Sequence, residues 1–320
     1  MPFPTRTALG AAALVAGAAA GLGYSLLEAR SYRLRQSTVP VLRPGQPPLA
    51  ILHLSDLHLT PDQQDKRTWV AGLAALQPDA VIVTGDFLAH LDAVPHVLDA
   101  LEPLLGLPGA FVLGSNDYFA PARGNPARYL LGPSSAPPPS RPPLPWPDLV
   151  AGLTAAGWLD LSNAHGVLLA AGRAIDIRGV DDPHIRRDRY DEVAGPFDPA
   201  ADLALGVAHA PYLRVLDAMA ADGASLVLAG HTHGGQLRLP GYGALVTNCD
   251  IDRHRARGLS RHPKPFEPGI PGLDDPALGG VDGRGAFLHV SAGLGTSPYA
   301  PVRFACPPEA TLLTLVPATS

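Results

Sequence analysis

The chain has 320 residues, 46% hydrophobic and 17% charged, a balance that excludes intrinsic disorder. A formal net charge of −5 argues against a general nucleic-acid-binding surface, so no nucleic-acid partner is expected. With 34 glycines and 36 prolines but no collagen period, the chain is globular and rich in loops.

Residues 8–27 carry no formal charge and match the length of one transmembrane helix, although alanine and glycine dominate them. Two other readings compete with an uncleaved anchor: a cleaved signal peptide and a helix packed on the following domain. Arg6 would be the basic start of a signal, and residues 18–20 offer a small-residue cleavage site. The expectation is a single N-terminal anchor in the cell membrane, with secretion if the segment is cleaved. Its orientation is nearly balanced, because Arg6 precedes it and Arg30, Arg33 and Arg35 follow. The expected organisation is an anchor or signal segment at 1–35, a proline-rich linker at 36–48 and one catalytic domain at 49–318.

Leu49–Leu54 is a short apolar run typical of a buried strand. Residues 67–77 place Trp69, Leu73 and Leu76 at helical spacing, and 80–84 form a second buried strand ending in Gly85-Asp86. Val94–Leu105 reads as a helix interrupted near Pro103, and 110–113 as a third strand ending in Gly114. Residues 121–147, with runs of proline and serine, read as an insertion. A short helix is expected at 148–156, and a strand pair at 167–170 and 174–178. Strands at 203–208 and 225–229 flank a helix at 212–220, where Pro211 suits the first turn. Residues 250–285 read as irregular, and Ala286–Val290 and 311–316 close the chain as strands. The alternation predicts an α/β layered domain. Cys249 and Cys306 form no C-x-x-C pair, which excludes a disulfide framework and a cysteine zinc site; two buried thiols are favoured over one disulfide.

Five segments place Asp, His or Asn directly after a buried strand. They are Ser55-Asp56-Leu57-His58, Gly85-Asp86, Gly114-Ser115-Asn116-Asp117, His209 and Gly230-His231-Thr232-His233. An acidic group at the end of a buried strand is costly unless paired or bound to a cation. Residues two apart point the same way on an extended backbone, so Asp56 with His58, and His231 with His233, are each expected to converge on one ion. Carboxylate, imidazole and amide ligands without thiolate suit Mn, Fe or Zn. The seven ligands Asp56, His58, Asp86, Asn116, His209, His231 and His233 are enough for two divalent ions, which would activate a water and clamp a phosphoryl oxygen.

These pieces resemble the calcineurin-like metallophosphoesterase family, and its membrane-associated bacterial branch in particular. The resemblance rests on LSDLHLTP, VTGDF, VLGSNDYF, VAHAP, LAGHTHGGQ and the closing VSAGLGTSPYAPVRFACPPEATLLTL. It implies a four-layer α/β/β/α sandwich of two facing mixed β-sheets with flanking helices and a dimetal site at the strand ends. It implies that Asp56, His58, Asp86 and His233 hold one ion, and that Asp86, His209, His231 and an amide from the third motif hold the other. Catalytic roles are expected for Asp86, Asn116 and His209. The activity implied is phosphoester hydrolysis of phosphodiesterase or pyrophosphatase type by a metal-bridging hydroxide. A membrane anchor would bring lipid-linked or cell-envelope phosphoesters within reach.

The third motif departs from the family's Gly-Asn-His followed by Asp or Glu. Here Ser115 stands at the ligand Asn and Asn116 at the His. Asn116 is expected to reach the metal through a one-residue loop adjustment, with the Ser115 hydroxyl as the alternative. The His that assists the leaving group is missing, and an amide cannot transfer a proton at neutral pH. His184 is a candidate replacement beside its plainer reading as a loop residue. The altered motif also keeps open a second class, a metal-binding, catalytically weak scaffold or sensor. Arg186, Arg187 and Arg189 read first as a solvated face.

Overall fold

The structure is a computed structural model describing residues 6–122, 141–263 and 285–318, with backbone alone for 6–13. In chain order the elements are α1 (Arg6–Glu28), β1 (Arg33–Leu42), β2 (Leu49–Leu54), α2 (Gln64–Gly72), β3 (Ala80–Val83), α3 (Val94–Leu105), β4 (Gly109–Phe111), α4 (Ser115–Tyr118) and α5 (Trp146–Ala155). There follow β5 (Leu159–Asp160), β6 (Ala164–Ala170), β7 (Arg173–Gly179), β8 (Leu203–Val207), α6 (Leu213–Ala221), β9 (Leu226–Ala229), β10 (Arg238–Leu239), β11 (Gly243–Ala244), β12 (Gly258–His262), β13 (Ala286–Val290) and β14 (Glu309–Pro317). The helix expected at 67–77 begins earlier, as α2, and ends in a 3₁₀ turn at Leu73–Leu76. Helix α3 runs through Pro103 without interruption.

Two six-stranded mixed sheets form, in the orders β1-β14-β2-β3-β4-β5 and β12-β13-β9-β8-β7-β6. Strand periodicity builds the layers. On β2 and β3, Leu49, Ile51, Ala80 and Ile82 point between the sheets, where they meet Ile175, Ile177, Leu205, Val207, Leu226 and Leu228 of the facing sheet. The alternate residues Leu52, Leu54, Val81 and Val83 point outward against Val97, Leu101 and Leu104 of α3 and Leu149 and Leu153 of α5. On the other side, Val227, Ala229, Leu288 and Val290 pack against Val215, Leu216 and Met219 of α6. The result is the expected α/β/β/α sandwich.

The C-terminal ends of the parallel strands β2, β3 and β4 lie together with those of β8 and β9. Backbone bonds tie their loops: Asp56 N–H donates to Gly85 O (2.9 Å), His58 N–H to Asp86 O (2.9 Å) and Gly230 N–H to His209 O (2.8 Å). Strand ends are where open α/β sheets place ligands.

Residues 36–42, expected within a linker, lie in β1, which pairs in parallel with β14. This is an edge strand, where Pro40 is tolerated because one rim of the strand needs no partner. Residues 258–262, expected as irregular, pair with β13 as a second edge strand. Most of the proline-rich insertion and the stretch 264–284 lie outside the described residues. Both cysteines are buried free thiols.

The membrane expectation is corrected. Among the described residues no helix is long and apolar enough to cross a membrane. Helix α1 forms over the suspected segment, but alanine and glycine supply little hydrophobic free energy per residue. Its last turns instead dock on the sandwich. The Tyr24 ring sits edge-on to Phe304 (5.3 Å), Ser25 O accepts from Arg303 N–H (3.0 Å), and the buried Glu28 carboxylate accepts from Cys306 N–H (3.3 Å) and from the Tyr24 hydroxyl (2.8 Å). The anchored localisation does not stand.

Candidate metal centre

Each motif leaves its strand through an unusual backbone. Asp56 (φ 50°), His58 (43°), Asp86 (56°), His231 (67°) and His233 (49°) all adopt left-handed φ without being glycine. Such residues persist only where the surroundings over-determine them, and they concentrate at functional sites. The extended geometry expected for Asp-x-His therefore does not occur; tight left-handed turns bring the side chains together. Two glycines make room for them. A Cβ on Gly114 would collide with Asp86 Oδ1 and His209, and one on Gly230 with Ser55 Oγ and Asp56 Oδ2.

Asp56, His58, Asp86 and His233 converge, with ligand atoms all within 4.8 Å of one another. His58 Nε2 lies 3.2 Å from His233 Nε2 and 3.4 Å from Asp86 Oδ2, and His233 Nε2 lies 3.5 Å from Asp56 Oδ1. On the far side of Asp86, the same oxygen, Oδ2, lies 3.4 Å from His209 Nε2, which is 3.3 Å from His231 Nδ1. His231 and His233 thus diverge, contrary to the extended-chain expectation. His233 faces His58 and His231 faces His209, with ring centroids 5.0 and 5.1 Å apart respectively.

The donor set fits divalent cations on two observations. Asp56 Oδ1 is buried with no hydrogen-bond partner, although it faces His233 Nε2. Its other oxygen is held by the Ser55 hydroxyl (2.5 Å) and the His231 N–H (3.0 Å). The second observation is tautomeric. His209 Nδ1 meets Thr84 O (2.6 Å), His233 Nδ1 meets Gly295 O (3.0 Å) and His231 Nε2 meets Asn248 O (3.2 Å). A carbonyl accepts only from N–H, so in the neutral rings of His231 and His233 the nitrogen facing the cluster is bare, as a metal-ligating imidazole requires. Burial disfavours charge on His209, yet Asp86 holds it well above the ordinary imidazole range, so its Nε2 carries a proton that a bound cation would displace. Atoms about 2.1 Å from a shared ion stand roughly 3.0–3.5 Å apart, the spacing found.

Electrostatics agree. Burial holds His58 down to about 4 and pushes His231 and His233 well below the ordinary imidazole range. Burial opposes ionisation of Asp86, yet His209, His58 and Asn116 hold its carboxyl well below the usual range. Burial raises Asp56 to about 6, with Asp86 adding to it and His209 opposing. Carboxylates crowded this closely need compensating positive charge.

The third motif opens α4. Asn116 N–H donates to Asp86 Oδ1 and its amide Nδ2 to Asp86 Oδ2, each at 2.8 Å, which places its side chain at the oxygen that faces both clusters. Exchanging amide N and O turns the carbonyl toward the same place. His184 stacks on His231 (centroids 4.5 Å), with Nδ1 3.0 Å from the Tyr212 hydroxyl. The basic cluster is largely paired: Arg187 with Asp181 (2.7 Å) and over the Tyr118 ring, and Arg189 with Glu192 (2.7 Å).

Sequence reasoning missed three residues that build this centre. The buried Asp117 carboxylate accepts from the N–H groups of Asp86, Phe87, Leu88 and Gly114 (2.7–3.0 Å) and so binds the second and third motifs together. Arg303, fully buried, donates to the carbonyls of Ala292 and Gly295 (2.7 Å each) and Gly293 (3.1 Å), fixing the closing segment beneath His233. Asp182, also fully buried, accepts from His184 N–H (2.7 Å). Asp117 and Arg303 lay inside quoted motifs, but their partners are backbone groups, which leave no trace in a sequence.

Residues 49–235 match the sequence pattern described as calcineurin-like phosphoesterase. The chain belongs to that family and is a metal-dependent phosphoester hydrolase. It is 27% identical to YpbG of Bacillus subtilis (strain 168), described as an uncharacterized protein, with 95% of this chain and 96% of the relative covered. It is 26% identical to the uncharacterized metallophosphoesterase YkuE of the same organism (96% and 93% covered). An uncharacterized metallophosphoesterase of Aquifex aeolicus (strain VF5) is 26% identical (91% and 95% covered).

Proposed function

We propose that the chain is a two-metal hydrolase of phosphodiesters or pyrophosphates with good leaving groups. The observation that carries this reading is Asp86 Oδ2, equidistant at 3.4 Å from His58 Nε2 and His209 Nε2. One oxygen faces two nitrogen clusters, the arrangement of a bridging ligand. Asp56, His58, Asp86 and His233 would hold the first ion, and Asp86, Asn116, His209 and His231 the second. Bound divalent ions, of Mn, Fe or Zn by donor type, supply Lewis acidity at phosphoryl oxygens and acidify water. The protein's own part is to orient the imidazoles through Thr84, Gly295 and Asn248 and to keep Asp86 ionised in a buried setting. Residues 49–318 carry the whole site and are proposed as the catalytic domain.

The preference for good leaving groups follows from Asn116, which stands where a proton donor is usual. His184, whose ring lies against His231, is the candidate replacement. With the membrane anchor withdrawn, location gives no reason to single out lipid-linked substrates. The test is a leaving-group series of aryl and alkyl phosphodiesters, with p-nitrophenyl phosphate and pyrophosphate, run with Mn²⁺ and with Zn²⁺. Diesters and pyrophosphate should exceed the monoester, and rates should fall steeply as the leaving group becomes more basic. His184→Ala should leave bis(p-nitrophenyl) phosphate nearly unchanged and slow alkyl leaving groups by about 10²-fold, the loss typical of one oxygen-directed donor. Parallel dependences in the two proteins would remove His184 from the mechanism, and turnover confined to monoesters would refute the substrate class.

A further inference from the structure

The apolar layer between the sheets contains two imidazoles. The row Leu49, Ile51 on β2 continues with His53, and Phe287 on β13 is followed two residues later by His289, so strand alternation aims both rings inward. Both are buried, at 0% and 1% exposure. Polar rings in such a layer are costly unless bonded. They bond to each other, Nδ1 to Nδ1, at 2.8 Å.

The contact continues toward the metal centre. His53 Nε2 lies 3.0 Å from Thr84 Oγ1, the Thr84 hydroxyl donates to Ser55 Oγ (2.7 Å), and Ser55 donates to Asp56 Oδ2 (2.5 Å). With the Thr84 hydroxyl donating to Ser55 Oγ at 2.7 Å rather than to the more distant Leu54 O at 3.5 Å, counting protons leaves one arrangement. Each hydroxyl has a single hydrogen, and both are used toward Asp56. Thr84 Oγ1 must therefore accept from His53 Nε2–H. A neutral His53 then has a bare Nδ1, which accepts from His289 Nδ1–H. Burial keeps both rings neutral, His53 well below the ordinary imidazole range and His289 down to about 4. All the bonds run in one direction, and such chains reinforce one another.

We propose that His53 and His289 are positioning residues for Asp56, acting through Thr84 and Ser55 to pin Oδ2 and keep Oδ1 turned into the first ion site. The inference rests on reading Asp56 as a metal ligand. Apolar residues would fill the layer as well; what they would not do is set the Thr84 and Ser55 hydroxyls. Thr84 also accepts His209 Nδ1–H through its carbonyl, so one residue steadies a ligand in each half of the centre.

The test is Mn²⁺ binding to the purified full chain by isothermal titration calorimetry, with thermal unfolding measured without metal. Thr84→Val and His289→Leu should each weaken binding about tenfold, the lower end of what outer-shell partners are worth. Thr84→Ser and His289→Asn, which keep the required donor, should stay within about threefold of wild type. If His289→Leu fails to fold, Thr84→Val decides. A folded Thr84→Val that binds Mn²⁺ as tightly as wild type, while Asp56→Asn binds weakly, overturns the relay and spares the ligand assignment. Wild-type binding that Asp56→Asn leaves unchanged overturns the ligand assignment and the relay with it.

Discussion

Asp86→Asn should reduce phosphoester hydrolysis by more than about a hundredfold, with the loss in kcat and in metal content together. Outer-shell partners of metal ligands are typically worth about 10- to 100-fold, and Asp86 is a direct candidate for both ions. Its Oδ2 lies 3.4 Å from both His58 Nε2 and His209 Nε2. Asparagine keeps the shape but removes the charge, and it can turn an NH₂ toward the two imidazole nitrogens. The fold should survive, because Asp86 N–H and its neighbours are held by Asp117 and not by the Asp86 side chain. Steady-state kinetics with metal analysis checks this. A variant retaining a tenth or more of wild-type activity would remove Asp86 from the bridging position.

Asp117→Asn should cost stability first and activity as a consequence. The carboxylate accepts two N–H groups at each oxygen: Phe87 and Leu88 at Oδ1, Asp86 and Gly114 at Oδ2. Asparagine retains one acceptor oxygen, so two buried amides face an NH₂ group. Each unsatisfied buried donor costs about 1–3 kcal/mol, which puts the change at about 2–6 kcal/mol. Against a typical total stability of about 5–15 kcal/mol this is large, and Tm should fall on the order of 10 °C. Calorimetric unfolding reads it. A Tm within about 2 °C of wild type would mean that the two loops are held together by something else.

The strand-end motifs were legible because a polar residue directly after a buried apolar run is unusual in any one place and more so in five. Which residues share an ion was less so. The extended-backbone argument pairs His231 with His233, whereas left-handed turns at both send them to opposite sides of Asp86. Left-handed Asp and His are held by the surrounding fold, and a local pattern does not report that. His53 and His289 are 236 residues apart, and each alone reads as a blemish in an apolar strand. The edge strands β1 and β12 escaped notice because arginine, proline and histidine interrupt them, as edge positions allow. The N-terminal segment misled through length: twenty uncharged residues suggest a span, but alanine and glycine do not supply its hydrophobicity, and Ser25 and Glu28 belong to the domain surface they dock on.

The central claim is that these carboxylates and imidazoles hold two divalent ions. Its most direct test is the metal content of the purified chain, measured by mass spectrometry after equilibration with Mn²⁺ or Zn²⁺ and removal of excess. About two ions per chain are expected, falling to about one when His209 and His231 are both replaced by alanine. A wild-type chain that retains no ion above background, and gains no hydrolysis with Mn, Fe or Zn, would contradict it.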